Sequence, residues 1–173
     1  MPAADGQASI YTLWTRQKDH CMLAELPRGY ENQKHFIALT VASGYAYAGL
    51  QSGDMYVYWK RIGNRLVLME PNVKTRSTGD NESKSSVKRI FTDRVVLDVP
   101  IVAIGPSGQP VIDMKDLLVG KASQFFGGQA RGANGSLATI KTAKAFPENI
   151  ELAYEMPMAG GVLQNLHYSF SLI

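Results

Sequence analysis

The sequence predicts a mainly β fold, α+β in the sense of one or two short helices, built on a mostly antiparallel sheet that forms a sandwich or partial barrel. Three observations carry this. Apolar and polar residues alternate with period two through much of the chain. Turn signals rich in Gly, Pro and Asn separate the runs at short intervals. No stretch carries a long amphipathic stripe, a heptad pattern or an internal repeat. Short connections favour antiparallel neighbours, while the order of strands in the sheet stays open.

Each element has its own local reason. In "SIYTLWTRQKDHCMLAELP", Ile10, Thr12 and Trp14 share one side of an alternating run. Gln17-Lys18-Asp19 turns the chain and a second apolar run returns, a hairpin. Residues 35–44, "HFIALTVASG", form an apolar run closed by Ser-Gly, as in a buried strand. In 55–72, Tyr56, Tyr58 and Lys60 alternate with Val57, Trp59 and Arg61; Gly63-Asn64 supplies a tight turn, and Leu66, Leu68 and Glu70 alternate on the return. Residues 74–86 are polar and read as a loop; 85–93 read as one or two helical turns capped by Ser85 or Ser86. Residues 94–114 read as two strands around Gly-Pro-Ser-Gly-Gln-Pro. Residues 113–120 read as a short helix that Asp113 caps and Gly120 stops. The glycine-rich 127–136 segment reads as flexible. No helix is predicted behind it, so it is not a phosphate-binding loop. Strands are predicted over 137–144, 149–156 and 163–172, with Gly160-Gly161 turning between the last two.

Composition bounds the function. The chain has 173 residues, 45% apolar and 19% charged, which fits a globular domain and excludes a disordered one. Net charge is +3 with a pI near 9.0, too weak and too dispersed to demand nucleic acid. The densest basic cluster, Lys84 to Arg94, is interrupted by Asp93 and reads as a solvated segment, with a phosphate-binding face as the sharper alternative. No apolar run reaches membrane-spanning length, and "MPAADGQ" lacks the pattern of a signal peptide. Residues 1–8 are expected to be a disordered or cloning-derived end, and 9–173 one β-rich domain cut from a longer chain.

The search for chemistry assigns no catalytic, cofactor-binding or metal-ligating residue. His20, His35 and His167 are expected on three separate strands, half-exposed, and none sits in a zinc-binding spacing. Cys21 is the single cysteine and reads as a buried, inert thiol; His20 beside it would point to the opposite sheet face. Asp113 and Asp116 read as a cap and a solvated neighbour. Glu148, Glu151 and Glu155 read as a polar strand face. Tyr45, Tyr47, Tyr56, Tyr58 and Trp59 cluster in strands over 45–59, near Lys60, Arg61 and Arg65. Stacking on single-stranded nucleic acid is one use of such a group; an interface with another domain or protein is the favoured one. At least two of these aromatics are therefore expected to be well exposed, and the C-terminal strand to lie at a sheet edge or unpaired.

Three stretches together carry a family resemblance. Trp59-Lys60-Arg61-Ile62-Gly63 is followed by Pro71-Asn72 and Arg76. Next come Phe91, the Val96 to Pro100 run, and Asp113 with Asp116-Leu117-Leu118. The last is Lys144-Ala145-Phe146-Pro147, with Asn149 and Glu151. Read in order, with the opening hairpin and the 35–44 strand ahead of them, they resemble the domain of unknown function that precedes the catalytic domain in large bacterial zinc-dependent, metzincin-like metalloproteases. Residues 127–136 depart from that pattern. The resemblance implies a non-catalytic accessory domain, not itself an enzyme, in a periplasmic or extracellular protein. Zinc would sit in the downstream H-E-x-x-H domain and not in this fragment, and the partners would be that catalytic domain and a peptide or protein substrate. The Phe146-Pro147 corner would be structural, with Asn149 bonding nearby backbone. A free-standing module binding glycan, peptide or nucleic acid through the tyrosine-rich face is the alternative.

Overall fold

The computed structural model describes residues 9–73, 78–90 and 92–173. Its strands are β1 (Thr12–Arg16), β2 (Cys21–Glu25), β3 (Lys34–Ser43), β4 (Gln51–Ile62), β5 (Arg65–Glu70), β6 (Arg94–Ile104), β7 (Pro110–Asp113), β8 (Thr139–Ala145), β9 (Asn149–Pro157) and β10 (Leu163–Leu172). All pair antiparallel, in the sheet order β1-β2-β7-β6-β5-β4-β3-β10-β9-β8. The sheet curls until its two edges, β1 and β8, approach each other, so it is nearly a closed barrel.

Curvature comes from register irregularities. They fall at Leu39/Thr40, Leu68/Met69, Ile101/Ala103, Ile140/Thr142 and Asn165/Leu166, and a bulge bends its strand and increases local twist. Strand β6 is the corner. Its first part, to Pro100, pairs with β5, and Ile101 to Ile104 pair with β7. Inward side chains of every strand meet in one core that includes Leu13, Met22, Ile37, Val57, Leu66, Val99, Ile112, Leu152, Leu166 and Phe170. Helical turns after β7 fill the remaining space. Leu117, Leu118, Phe125 and Phe126 are buried there; both phenylalanine rings meet Tyr168 edge-on at 5.2 and 5.4 Å, and Tyr168 Oη donates to Leu118 O at 2.6 Å. The core is packed with side chains, as in small barrels generally.

Several local expectations hold. The 12–25 hairpin, the Gly63-Asn64 turn with Gly63 at φ 60°, the Gly105–Gln109 turn and the three last strands form as read. Asp113 Oδ1 accepts Lys115 N–H at 2.8 Å and Asp116 N–H at 3.3 Å, a cap. The differences are instructive. Helix α1 (Asn81–Ile90) begins four residues before Ser85, because Asp80 is the better cap: its Oδ1 accepts Ser83 N–H at 2.8 Å. The predicted loop therefore fails over 81–86; its residues 74–77 lie outside the described residues. Gly120 does not end the helical chain: a wide turn, Asp116–Gly120, leads on into α2 (Ala122–Phe126), whose apolar side chains the barrel interior buries. The 127–136 segment makes 3₁₀ turns over Gly127–Ala130 and Gly135–Leu137, and Asn134 N–H reaches Pro157 O at 2.8 Å. Strand β10 is not an edge. It pairs with β3 on one side and β9 on the other, because its alternate residues Leu166, Tyr168 and Phe170 belong to the core.

Two buried polar groups hold distant segments together. Glu25 is 3% exposed, and its Oε1 accepts Ser107 N–H at 2.9 Å and Gln109 N–H at 3.3 Å. Gly105 lies against this carboxylate so closely that a Cβ there would stand 2.3 Å from Glu25 Cδ. In the core, Trp59 Nε1–H donates to Tyr11 Oη at 3.0 Å, and Tyr11 Oη meets His35 Nε2 at 2.9 Å. The Tyr11 hydroxyl and His35 Nε2 share one hydrogen between them, and the buried His35 Nδ1 has no hydrogen-bond partner. His35 is fully buried, and burial pushes its pKa down to about 4.

Glu25→Ala leaves the turn's N–H groups without their acceptor and lowers the urea-unfolding free energy by about 1–3 kcal/mol. Gly105→Ala also destabilises, but costs much less in the Glu25→Ala background, since the clash is gone; equal costs in both backgrounds would disprove the contact. For His35, the unfolded chain binds the proton more readily than the folded one. Its contribution is full above the ordinary pKa of 6.5 and is lost as pH falls to about 4, by roughly 3 kcal/mol in all. His35→Phe should flatten that part of the stability–pH curve, whatever it costs at neutral pH.

Candidate functional surface

Large apolar side chains are exposed together at one rim of the barrel. The β3–β4 connection presents Tyr45 (38% exposed), Tyr47 (66%) and Leu50 (63%), and the end of the β9–β10 connection and the first residue of β10 present Val162 (49%) and Leu163 (54%). The two connections touch. Gly44, at φ +78°, lies so close to β10 that a Cβ would stand 2.0 Å from Leu163 O, so only glycine fits there. The β3–β4 turn is held by Ala48 N–H to Tyr45 O at 3.1 Å, Gly49 N–H to Val41 O at 2.9 Å and Leu50 N–H to Tyr47 O at 3.2 Å. The Tyr45 and Tyr47 rings meet edge-on at 5.7 Å.

The five aromatics expected to act together separate into three environments. Tyr45 and Tyr47 are the two well-exposed ones, but they lie in a turn rather than a strand, because the chain reverses before β4 begins at Gln51. Tyr56 and Tyr58 lie half-buried on the opposite side of β4 from Trp59, which is in the core. Tyr58 Oη donates to Asp93 Oδ2 at 2.6 Å, and Lys34 Nζ sits 3.7 Å from the centre of its ring. Burial first and Asp93 second raise the Tyr58 pKa to about 12. Lys60 and Arg61 stand at the far end of β4, about 30 Å of strand from the rim tyrosines, and Arg65 opens β5 opposite Ile62. Arg65 pairs with Asp98, and Arg61 Nε donates to Gly63 O at 3.0 Å. The rim tyrosines Tyr45 and Tyr47 are thus separated from Lys60, Arg61 and Arg65 by the length of β4.

The three histidines are dispersed. His20 is in the β1–β2 turn at φ 53° rather than in a strand, and its Nδ1 accepts Ile140 N–H at 3.2 Å. His35 is wholly enclosed, against the half-exposed expectation, because β3 turns it inward toward Tyr11. His167 lies across from Glu151, Nε2 to Oε2 2.7 Å. Glu151 Oε1 also accepts from Ser169 Oγ at 2.6 Å and Asn149 Nδ2 at 2.7 Å. Asn149 therefore spends its side chain on Glu151 rather than on backbone. Cross-strand pairing of β9 with β10 makes this cluster a polar strand face, as read for Glu151; Glu155 pairs with Lys141 at 3.1 Å. Cys21 is half-buried rather than buried, and burial, then Asp113 and Asp19, raise its thiol pKa. Among the described residues no three His, Cys, Asp or Glu side chains gather as a metal site, and no helix is long and apolar enough to cross a membrane.

Leu50, Val162 and Leu163 escaped the sequence reading. Their signal was large apolar residues next to glycine inside turn segments, "YAYAGL" and "GGVL". Because the rim side chains touch solvent rather than core, Tyr47→Ser and Leu50→Ser should leave stability within about 0.5 kcal/mol of the parent. Both should reduce binding of a hydrophobic dye, whereas Gly44→Ala should lower the melting temperature. A large stability loss in the serine variants would place these side chains in the core.

A family model described as Domain of unknown function (DUF5117) matches residues 49–170, from the end of the rim turn through most of β10. No curated protein and no solved structure matches the chain. With most of its length covered by that model, the chain belongs to the family of domains of unknown function described as DUF5117.

Proposed function

We propose that this chain is a non-catalytic accessory domain of a bacterial, secreted or periplasmic zinc-dependent metalloprotease. It packs on the protease domain through the aromatic rim and shapes the access of peptide substrate. The observation that carries the docking role is the rim itself: five large apolar side chains exposed together on two turns that Gly44 locks against β10. Contiguous exposed apolar surface of this kind marks an interaction site. The protease assignment rests on the ordered motifs around Trp59, Pro71, Asp113 and Phe146. Zinc chemistry belongs, in this reading, to the neighbouring domain. The alternative, a free-standing module that grips a glycan or peptide, draws on the Tyr45–Tyr47 ring pair.

The test is to express the full reading frame that contains this chain and compare amide exchange with that of residues 1–173 alone. Protection of 45–50 and 162–163 in the longer protein, with zinc-dependent peptidase activity only there, is the expected result. A reading frame that closes at Ile173, or peptidase activity in the fragment itself, would overturn the accessory-domain reading.

A further inference from the structure

The first hairpin meets the β8–β9 hairpin where the barrel closes, with β1 and β8 side by side. Near one end of this seam Ile10 N–H donates to Phe146 O at 2.9 Å. At the other end His20 makes two ties. Its ring Nδ1 accepts Ile140 N–H at 3.2 Å, and its carbonyl accepts Tyr154 Oη–H at 3.0 Å. One turn residue thus grips β8 through its side chain and β9 through its backbone. Among the described residues, His20 is also the only one other than glycine at positive φ, 53°. A side chain stays in the left-handed region when its surroundings fix it there, and such outliers gather at clamps and switches. The two bonds supply that fixing.

The bond to Ile140 sets the state of the ring. A backbone N–H only donates, so Nδ1 must present its lone pair, and the ring is neutral with its proton on Nε2. An imidazolium carries protons on both nitrogens and accepts nothing. Proton uptake at Nδ1 and the bond to Ile140 therefore exclude each other. The other ties lack this sensitivity. Ile10 and Phe146 meet through backbone groups, and burial, then Asp113, Cys21 and Asp19, push the Tyr154 pKa further up, so its hydroxyl remains a donor.

Charges of both signs surround the turn. On its own hairpin Arg16 pairs with Asp19, with Lys18 and Cys21 beside them. From the end of β7 come Asp113 and Lys115, whose Nζ donates to Asp19 O at 3.2 Å. From β8 and β9, Lys141 pairs with Glu155 at 3.1 Å. Of these side-chain types, histidine alone ordinarily changes charge between about pH 5 and 8.

We infer that His20 is a proton-operated clasp on the barrel seam. Neutral, it holds the β1–β2 turn to β8; protonated, it releases that end while the Ile10–Phe146 end stays tied. The clasp is complete above the histidine range and is lost as pH falls through it. His35 responds to acid differently: it is enclosed in the core and acts on the stability of the whole fold, whereas His20 acts on one end of the seam. The clasp does not depend on what the aromatic rim docks against.

The experiment is site-resolved amide exchange on the whole chain at about pH 7.5 and about pH 5.5, with each rate taken relative to an unstructured peptide at the same pH. Protection at Ile140 should fall roughly tenfold at the lower pH, the loss of one hydrogen bond, while Leu68 in the β4–β5 hairpin keeps its protection. His20→Asn places a carboxamide oxygen where Nδ1 stands, tolerates positive φ and takes up no proton, so it should hold Ile140 protected at both pH values. His20→Gly, which also tolerates that φ but offers no acceptor, should leave Ile140 weakly protected at both. Unchanged protection of Ile140 in the parent, a pH response that survives in His20→Asn, or a parallel fall at Leu68 would each overturn the proposal.

Discussion

The sheet's inner face has almost nothing to pack against except itself, and this constraint organises the molecule. A sandwich would bury it under a second layer, and an α/β fold would cover it with helices. Here the helical contribution to the core is the short stretch from Leu117 to Ala130. The sheet must therefore curl around that plug. The corner at β6 and the bulges along the other strands supply the bend. The Phe146–Asn149 turn ties three parts of the sheet together: Ile10, just before edge strand β1, donates to Phe146 O, and Leu172 N–H, at the end of β10, donates to Glu148 O at 2.8 Å. These bonds give the Phe146-Pro147 corner a structural role.

Buried polar groups choose among the ways such a sheet could close. Apolar packing is non-directional, so it tolerates several registers; a buried hydrogen bond tolerates one. Tyr11 with His35 and Trp59 joins the segment before β1 to β3 and β4. Glu25 fixes the β6–β7 turn against β2. Tyr154 Oη donates to His20 O at 3.0 Å, binding β9 to the first hairpin. Each link spans sequence-distant elements, and each loses its value if the strand order changes.

The surface features sit where the scaffold does not need them. Rim residues Tyr45 and Tyr47 lie before residue 49, ahead of the segment matched by the family model, while Leu50, Val162 and Leu163 lie within it. The shared segment supplies most of the sheet and the plug, and the first 48 residues add the edge strands β1 and β2, the interior strand β3 and the rim tyrosines. Function on loops and edges held by a rigid frame is the usual division of labour.

The sequence by itself determined the strands, their short turns and the antiparallel character, because period-two alternation and turn residues are local properties. The Gly63-Asn64 hairpin and the Asp113 cap were legible for that reason. The strength of the Asp80 cap was missed because polar composition masked a helix that local hydrogen bonding supports. Only the tertiary structure decided that β10 lies between β3 and β9, that His35 is enclosed while Tyr47 is exposed, and that β1 and β8 meet at a seam. Those outcomes depend on which distant strands share the core. A one-residue pattern cannot distinguish a side chain turned toward Tyr11 from one turned toward water until the sheet has closed around it.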